Sequence, residues 1–168
     1  KTFQVSGPSQ RITSGAGTHY LASVSRDGHI VFSNMNWTSN VWSLAADPDR
    51  GTVSGVPGPL TRDLMVKFRP SLTRDGSKVA FEAFGGIQVH RDEVRVLDLV
   101  TGRETTFPSR GTPYMTPCIS PDGSTFAYSD NLADGIHTFV FSGDDSSGRE
   151  ICRDCRILGF DSAAKNAF

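Results

Sequence analysis

No apolar run in this 168-residue sequence approaches the ~20 residues that a membrane-spanning helix needs. No window keeps helical spacing of apolar residues over the roughly ten positions a helix requires. An excess of charge of one sign is also missing: 17 Lys and Arg stand against 18 Asp and Glu, a formal net charge of -1. That balance excludes a chain whose main business is nucleic-acid backbone or an anionic membrane. Cysteine is scarce. Cys118, Cys152 and Cys155 are too few, and odd in number, for a disulfide framework. Only Cys152-Arg153-Asp154-Cys155 has a suggestive spacing, and no second CxxC or HxxxH completes a zinc set. Arg156 stands where a haem-attachment motif needs His. A structural or incidental pair is the simplest account of it, with a local disulfide or metal role as the alternative.

Catalytic signatures are missing as well. There is no Gly-x-Ser-x-Gly elbow, no His-Glu-x-x-His, no P-loop and no Gly-x-Gly-x-x-Gly opening a helix. The four histidines, His19, His29, His90 and His137, lack metal-ligand spacing. His29 reads as an exposed hairpin residue, and His137, close to Phe139 and Phe141, as a satisfied core or edge histidine. Asp47-Pro48-Asp49-Arg50-Gly51 has a calcium-loop flavour but lacks the remaining oxygen ligands, so it reads as a turn, as does Asp144-Asp145-Ser146-Ser147-Gly148. Asn36-Trp37-Thr38 matches a glycosylation sequon. We expect no catalytic residue, no metal and no cofactor. The chain opens on Lys1 without a signal-peptide pattern, which points to a processed product or a piece of something longer.

What is present is turn chemistry and a repeat. Gly is 17 and Pro 9, and 11 Phe, 3 Tyr and 2 Trp are ample for a core. Ser25-Arg26-Asp27-Gly28, Thr73-Arg74-Asp75-Gly76 and Ser120-Pro121-Asp122-Gly123 each precede an apolar strand ending in Phe32, Phe81 or Tyr128. Their glycines stand 48 and 47 residues apart. Pro70 and Pro117 keep one offset from the second and third glycines, and Thr101-Gly102-Arg103-Glu104 matches Ser147-Gly148-Arg149-Glu150. Ile12-Thr13 and Leu60-Thr61 fall in the same frame. Asp-Gly favours a tight hairpin, since Gly accepts positive φ and Asp bonds its own backbone. Each period reads as four short antiparallel strands: one runs into Asp-Gly, one leaves it, and a third follows at Val41–Leu44, Val94–Asp98 or His137–Phe141. A more polar fourth, such as Arg103–Phe107, closes the set. About four strands per 40–50 residues is the arithmetic of a propeller blade.

These residues resemble the TolB-type, WD-repeat-like β-propeller repeat. Ser120-Pro121-Asp122-Gly123 with Phe126-Ala127-Tyr128 is the best copy of its motif. The other two copies carry Arg74 and Arg26 where the family usually has Pro, and the first is one residue shorter before Phe32. The fold expected is all-β, about three full four-stranded blades plus two half-blades: 1–19 ends a preceding blade, 20–65, 66–114 and 115–156 are blades, and 157–168 starts another. We expect Phe32, Phe81 and Tyr128 to occupy equivalent buried positions between blades. An arc alone leaves unpaired edges, so completion of the ring by association or by further chain is expected. The loop face, formed by the second-to-third-strand loops and the links between blades, offers Trp37, His90, Arg91, Asp92, Tyr114 and Asp134 as partner contacts. The resemblance implies a non-catalytic bacterial binding or scaffold module for a protein or peptide, in the envelope or a sensor, with a periplasmic or extracytoplasmic setting. Its alternative implication is the gating propeller of a prolyl-oligopeptidase-like serine peptidase. A lyase or hydrolase with a central metal has only scattered His and Asp behind it.

Overall fold

The computed structural model describes residues 7–8, 10, 18–35, 37–47, 49–85, 92–111, 117–143, 145 and 147–161. Every regular element among them is a strand: β1 (Thr18–Val24), β2 (Ile30–Met35), β3 (Trp42–Asp47), β4 (Thr52–Pro59), β5 (Val66–Leu72) and β6 (Lys78–Phe84). The series continues with β7 (Asp92–Asp98), β8 (Glu104–Pro108), β9 (Cys118–Ile119), β10 (Thr125–Leu132), β11 (Gly135–Ser142) and β12 (Arg149–Arg153). The chain divides into two units, 1–36 and 37–168.

The first unit holds the antiparallel hairpin β1–β2, with a bulge between Tyr20 and Ser23. Its apolar side chains stay in solvent: Leu21, Val24, Ile30 and Val31 are exposed, and Phe32 is 42 % exposed. The His19 ring meets the Phe32 ring edge-on at 4.9 Å.

In the second unit, β3 and β4 form another two-stranded sheet, followed by two four-stranded antiparallel meanders, β5-β6-β7-β8 and β9-β10-β11-β12. Two of the three expected four-stranded sheets are thus present, and the first repeat is instead two hairpins, β1–β2 and β3–β4. The difference follows from composition. A central strand needs side chains that pack on both faces. β6 has five buried residues in a row, Val79 to Ala83. β2 continues from Phe32 into Ser33, Asn34 and Met35, and is exposed throughout.

The Asp-Gly turns are built alike. Thr73 N donates to Lys78 O (3.0 Å), Gly76 N to Thr73 O (3.1 Å), Ser120 N to Thr125 O (2.8 Å) and Gly123 N to Ser120 O (2.9 Å). In each turn the Asp carboxylate draws in the hydroxyl two residues earlier, at 2.7 Å for Thr73–Asp75 and 2.6 Å for Ser120–Asp122. Ser25 and Asp27 make the same contact in β1–β2. The Asp47 and Asp145 segments are turns of the Asx type: Asp47 Oδ1 accepts Asp49 N and Arg50 N at 3.1 Å each, and Asp145 Oδ1 accepts Ser147 N at 2.9 Å.

Packing between the two meanders is directional. β6 alternates, sending Val79, Phe81 and Ala83 to a cluster with Val41, Leu60 and Met65. Its opposite face contributes Ala80, which joins Val94 and Phe107 against Ile119, Phe126, Tyr128, Phe139 and Phe141 of the next sheet. Phe81 (0 % exposed) and Tyr128 (1 %) are equivalent and buried as expected, both facing the segment that precedes their own sheet. Phe32 departs from that expectation, because its hairpin lacks the third and fourth strands that would complete a packed sheet. Rings fill the seam: Phe107 lies 4.2 Å from Phe126, and Phe126 stacks on Phe141 at 4.6 Å.

Candidate functional site on the loop ends

A meander puts its first and third turns at one end of the sheet and its second turn and exit at the other. The Asp-Gly ends of the two meanders are joined directly. Arg74 N donates to Pro121 O at 3.0 Å and Lys78 Nζ to Gly123 O at 3.1 Å. A cleft of about 260 Å³ opens there, lined among others by Lys78, Asp98, Arg103, Thr105 and Phe126.

The other end carries the expected contact loops. Among the six residues named from sequence, His90, Arg91 and Tyr114 lie outside the described residues. Trp37 is 66 % exposed. Asp92 opens β7, and its carbonyl accepts Ser109 N at 2.9 Å, which ties the start of β7 to the exit of β8. Asp134 sits in the β10–β11 turn with its side chain 63 % exposed.

The structure adds residues that the sequence did not single out. Asp130, wholly buried at the end of a strand of aromatic and small residues, gathers the β8–β9 link. It accepts Ser109 Oγ (2.9 Å), Arg110 N (2.6 Å) and Gly111 N (2.9 Å) on Oδ2. A Cβ on Gly111 would lie 2.2 Å from the Asn131 carbonyl oxygen, so only glycine passes there. Above this anchor the Arg110 guanidinium lies 4.4 Å over the Phe139 ring.

Glu82 lies in the same seam. Burial pushes its carboxyl up, the Arg69 guanidinium pulls it down, and the Asp92 and Asp130 charges add to the rise. Arg69 reaches Glu82 from the β5 bulge between Phe68 and Ser71, where its φ is 51°. Burial, then the Asp130 charge, push the Tyr128 phenol up to about 12.

Asp134 belongs to a second group. His137, with its side chain 4 % exposed, has Asp134 Oδ1 3.0 Å from Nε2 and Glu150 Oε1 3.2 Å from Nδ1. Arg153 Nε donates to Glu150 at 2.8 Å, and its Nη1 lies 3.8 Å from Asp134. His137 is therefore a satisfied core residue, as the sequence suggested. Cys152 and Cys155, beside it, are joined in a disulfide, so the local-disulfide alternative is the one observed.

Chemically, these side chains hold loops in place. Buried Asp130 and His137 are saturated by neighbours, whereas Arg153 and Asp134 project with two-thirds of their surface in solvent. Among the described residues no three His, Cys, Asp or Glu side chains converge closely enough to hold a metal ion. The signal for Asp130 was visible in sequence as a charge ending Phe126-Ala127-Tyr128-Ser129, but its partners lie about twenty residues away.

No family model matches the chain, and no curated protein matches it. Among solved structures it is similar to TolB from Acinetobacter baumannii, with 18 % identity and a TM-score of 0.56 over 75 % of this chain and 31 % of that one. It is also similar to an acylaminoacyl peptidase in complex with Z-Gly-Gly-Phe-chloromethyl ketone (14 %, TM-score 0.48, 60 % of this chain and 16 % of that one). A prolyl endopeptidase matches at 18 % and a TM-score of 0.47 over 60 % of this chain and 18 % of that one. The chain spans less than a third of each, and the two peptidase likenesses are too distant to carry an argument. With the meanders described above, the TolB likeness shows a TolB-like, all-β propeller fold.

Proposed function

We propose that this TolB-like propeller chain is a binding module whose loop ends take a protein or peptide partner. The observation that carries the reading is the Asp130 anchor. A fully buried carboxylate collects three donors from the β8–β9 link and fixes the base of a face whose outer side chains, Arg110, Asp134 and Arg153, are free to contact a partner. A preorganised base with projecting Arg and acidic groups suits recognition, because little ordering is left to be done on binding. Trp37, His90, Arg91, Asp92 and Tyr114 belong to the same proposed contact set.

The blade boundaries 20–65, 66–114 and 115–156, with half-blades at either end, are part of this reading. Self-association is supported by the exposed apolar side chains of β1 to β4. A periplasmic or other extracytoplasmic setting is supported by the Cys152–Cys155 disulfide, since such bonds persist in oxidising compartments.

The test is selection of random twelve-residue peptides displayed on phage against the immobilised full chain. Selected peptides are then titrated against the triple variant R110A/D134A/R153A, with R103A at the opposite end as control. At least tenfold weaker binding to the triple variant alone is expected. Absence of enriched peptides, or equal binding to all three proteins, refutes the reading.

A further inference from the structure

Cys152 ends β12 and Cys155 lies just beyond it, with Cα atoms 6.0 Å apart and the sulfurs bonded. The turn between them folds back onto β11: Asp154, at φ 57°, donates its N–H to Ile136 O at 2.7 Å. From here a short relay of hydrogen bonds leads inward. Thr138 Oγ1 donates to Cys155 O (2.9 Å) and stands 2.8 Å from Ser129 Oγ, which accepts Ile157 N at 2.8 Å. Ile157, 3 % exposed, covers Cys118 and Ala127 on one face of the second meander, with Val140 and Phe160 packed beside them. Between them Leu158 is 76 % exposed, so the covering segment grips the sheet through two side chains only.

We propose that Cys152–Cys155 is a redox clasp. Bonded, it holds Ile157 and Phe160 over the Cys118–Ala127 face. Reduced, it releases that segment and uncovers the third thiol.

The two half-cystines are partly exposed and reachable, and a loop closed over three residues constrains little of the chain beyond itself. Breaking it therefore acts on the segment it orients and leaves the meander folded. Burial raises the Cys118 thiol above its usual range, which keeps it slow to react while covered. The chemistry is an exchange with a small-molecule dithiol. One dithiol thiolate attacks a protein sulfur, the Cys152–Cys155 bond breaks, and the departing cysteine takes up a proton. The second dithiol thiolate then attacks the mixed disulfide, so two electrons pass to the protein and the dithiol leaves as a cyclic disulfide.

The experiment labels the full chain with N-ethylmaleimide in native buffer and follows each cysteine by mass spectrometry. Oxidised protein, protein reduced with dithiothreitol, and the double variant C152S/C155S are compared, with backbone hydrogen exchange measured on each. In the oxidised protein all three cysteines are expected to resist labelling. After reduction Cys152 and Cys155 label at once and Cys118 labels at least tenfold faster, while exchange rises over 155–160 and stays constant in β10 and β11. The double variant reproduces the fast Cys118 rate without reductant. An unchanged Cys118 rate overturns the proposal. So does exchange that rises throughout β10 and β11, which identifies a global staple, or rapid labelling of all three cysteines in the oxidised protein.

Discussion

Truncating Phe81 to Ala removes a ring with no solvent exposure from the cluster of Val41, Val79, Ala83, Leu60, Met65, Leu97 and Leu99. Returning a buried Phe side chain to water-like surroundings costs about 1.5–3 kcal/mol. The ring also leaves a void. At about 24 cal/mol per Å³, a residual space of roughly 60 Å³ adds about 1.5 kcal/mol, for a total near the 3–5 kcal/mol usual for such substitutions. Its counterpart in the first repeat, Phe32, is 42 % exposed, and Phe32→Ala is expected to cost under about 1 kcal/mol. The pair isolates burial from residue type and from position in the motif.

The assay is urea unfolding followed by far-ultraviolet circular dichroism. Tryptophan fluorescence is the poorer probe here, because Trp37 and Trp42 are 66 % and 59 % exposed. Equal m-values for wild type and variants license the comparison of midpoints. A loss below about 1 kcal/mol for Phe81→Ala, or equal losses for the two variants, refutes the assignment of Phe81 to the packed seam.

Gly148 has φ +57°, and a Cβ there would lie 2.3 Å from the buried Phe141 ring, whereas Gly143 has φ +59° and open space. Gly148→Ala is expected to cost about 2–4 kcal/mol, combining the left-handed conformation and overpacking, against about 1–2 kcal/mol for Gly143→Ala in the same urea assay. Asp75 is held at about 2, chiefly by the Ser77 amide and then by the Thr73 and Ser77 hydroxyls. Its folded value lies below the unfolded one, so its contribution is present above about pH 4 and is lost as the pH falls towards 2. The urea midpoint measured from pH 5 to 2 is expected to fall less steeply in Asp75→Asn than in wild type, and parallel curves count against the turn assignment.

What the sequence disclosed and what it hid divide by range. Thr73, Asp75, Gly76 and Ser77 close their hairpin among themselves, so the motif alone was enough to place it, and the same holds at Ser120–Ser124. Strand ends were less legible. β7 starts at Asp92, two residues before the expected Val94, because its ladder with β6 extends to the Phe84–Asp92 pair. Phe32 failed where Phe81 and Tyr128 succeeded, since burial is a property of the opposing sheet and the motif does not encode that sheet. At the site, Asp134 was marked by its place in a turn, but its link to His137, Glu150 and Arg153 needed β11 and β12 side by side. Asp130 was missed for the same reason, as its donors come from Ser109 to Gly111 across a sheet boundary.

The alternation of alanine and aromatic explains why the repeat keeps both. On β6 Ala80 and Phe81 point to opposite faces, as do Ala127 and Tyr128 on β10. The aromatic face of one sheet therefore meets the alanine face of the sheet before it: Tyr128 and Phe126 close on Ala80. Two aromatic faces would force the sheets apart, and two alanine faces would leave a void, so interior density requires one of each. Stacking thus has a direction, and every sheet presents an alanine face that something must cover. For the second meander Ile157 and Phe160 do so over Ala127. These two side chains occupy the place where Tyr128 and Phe126 stand one sheet earlier, with far less area. The end of the array is for this reason its weakest seam, and the Cys152–Cys155 turn is positioned to hold it.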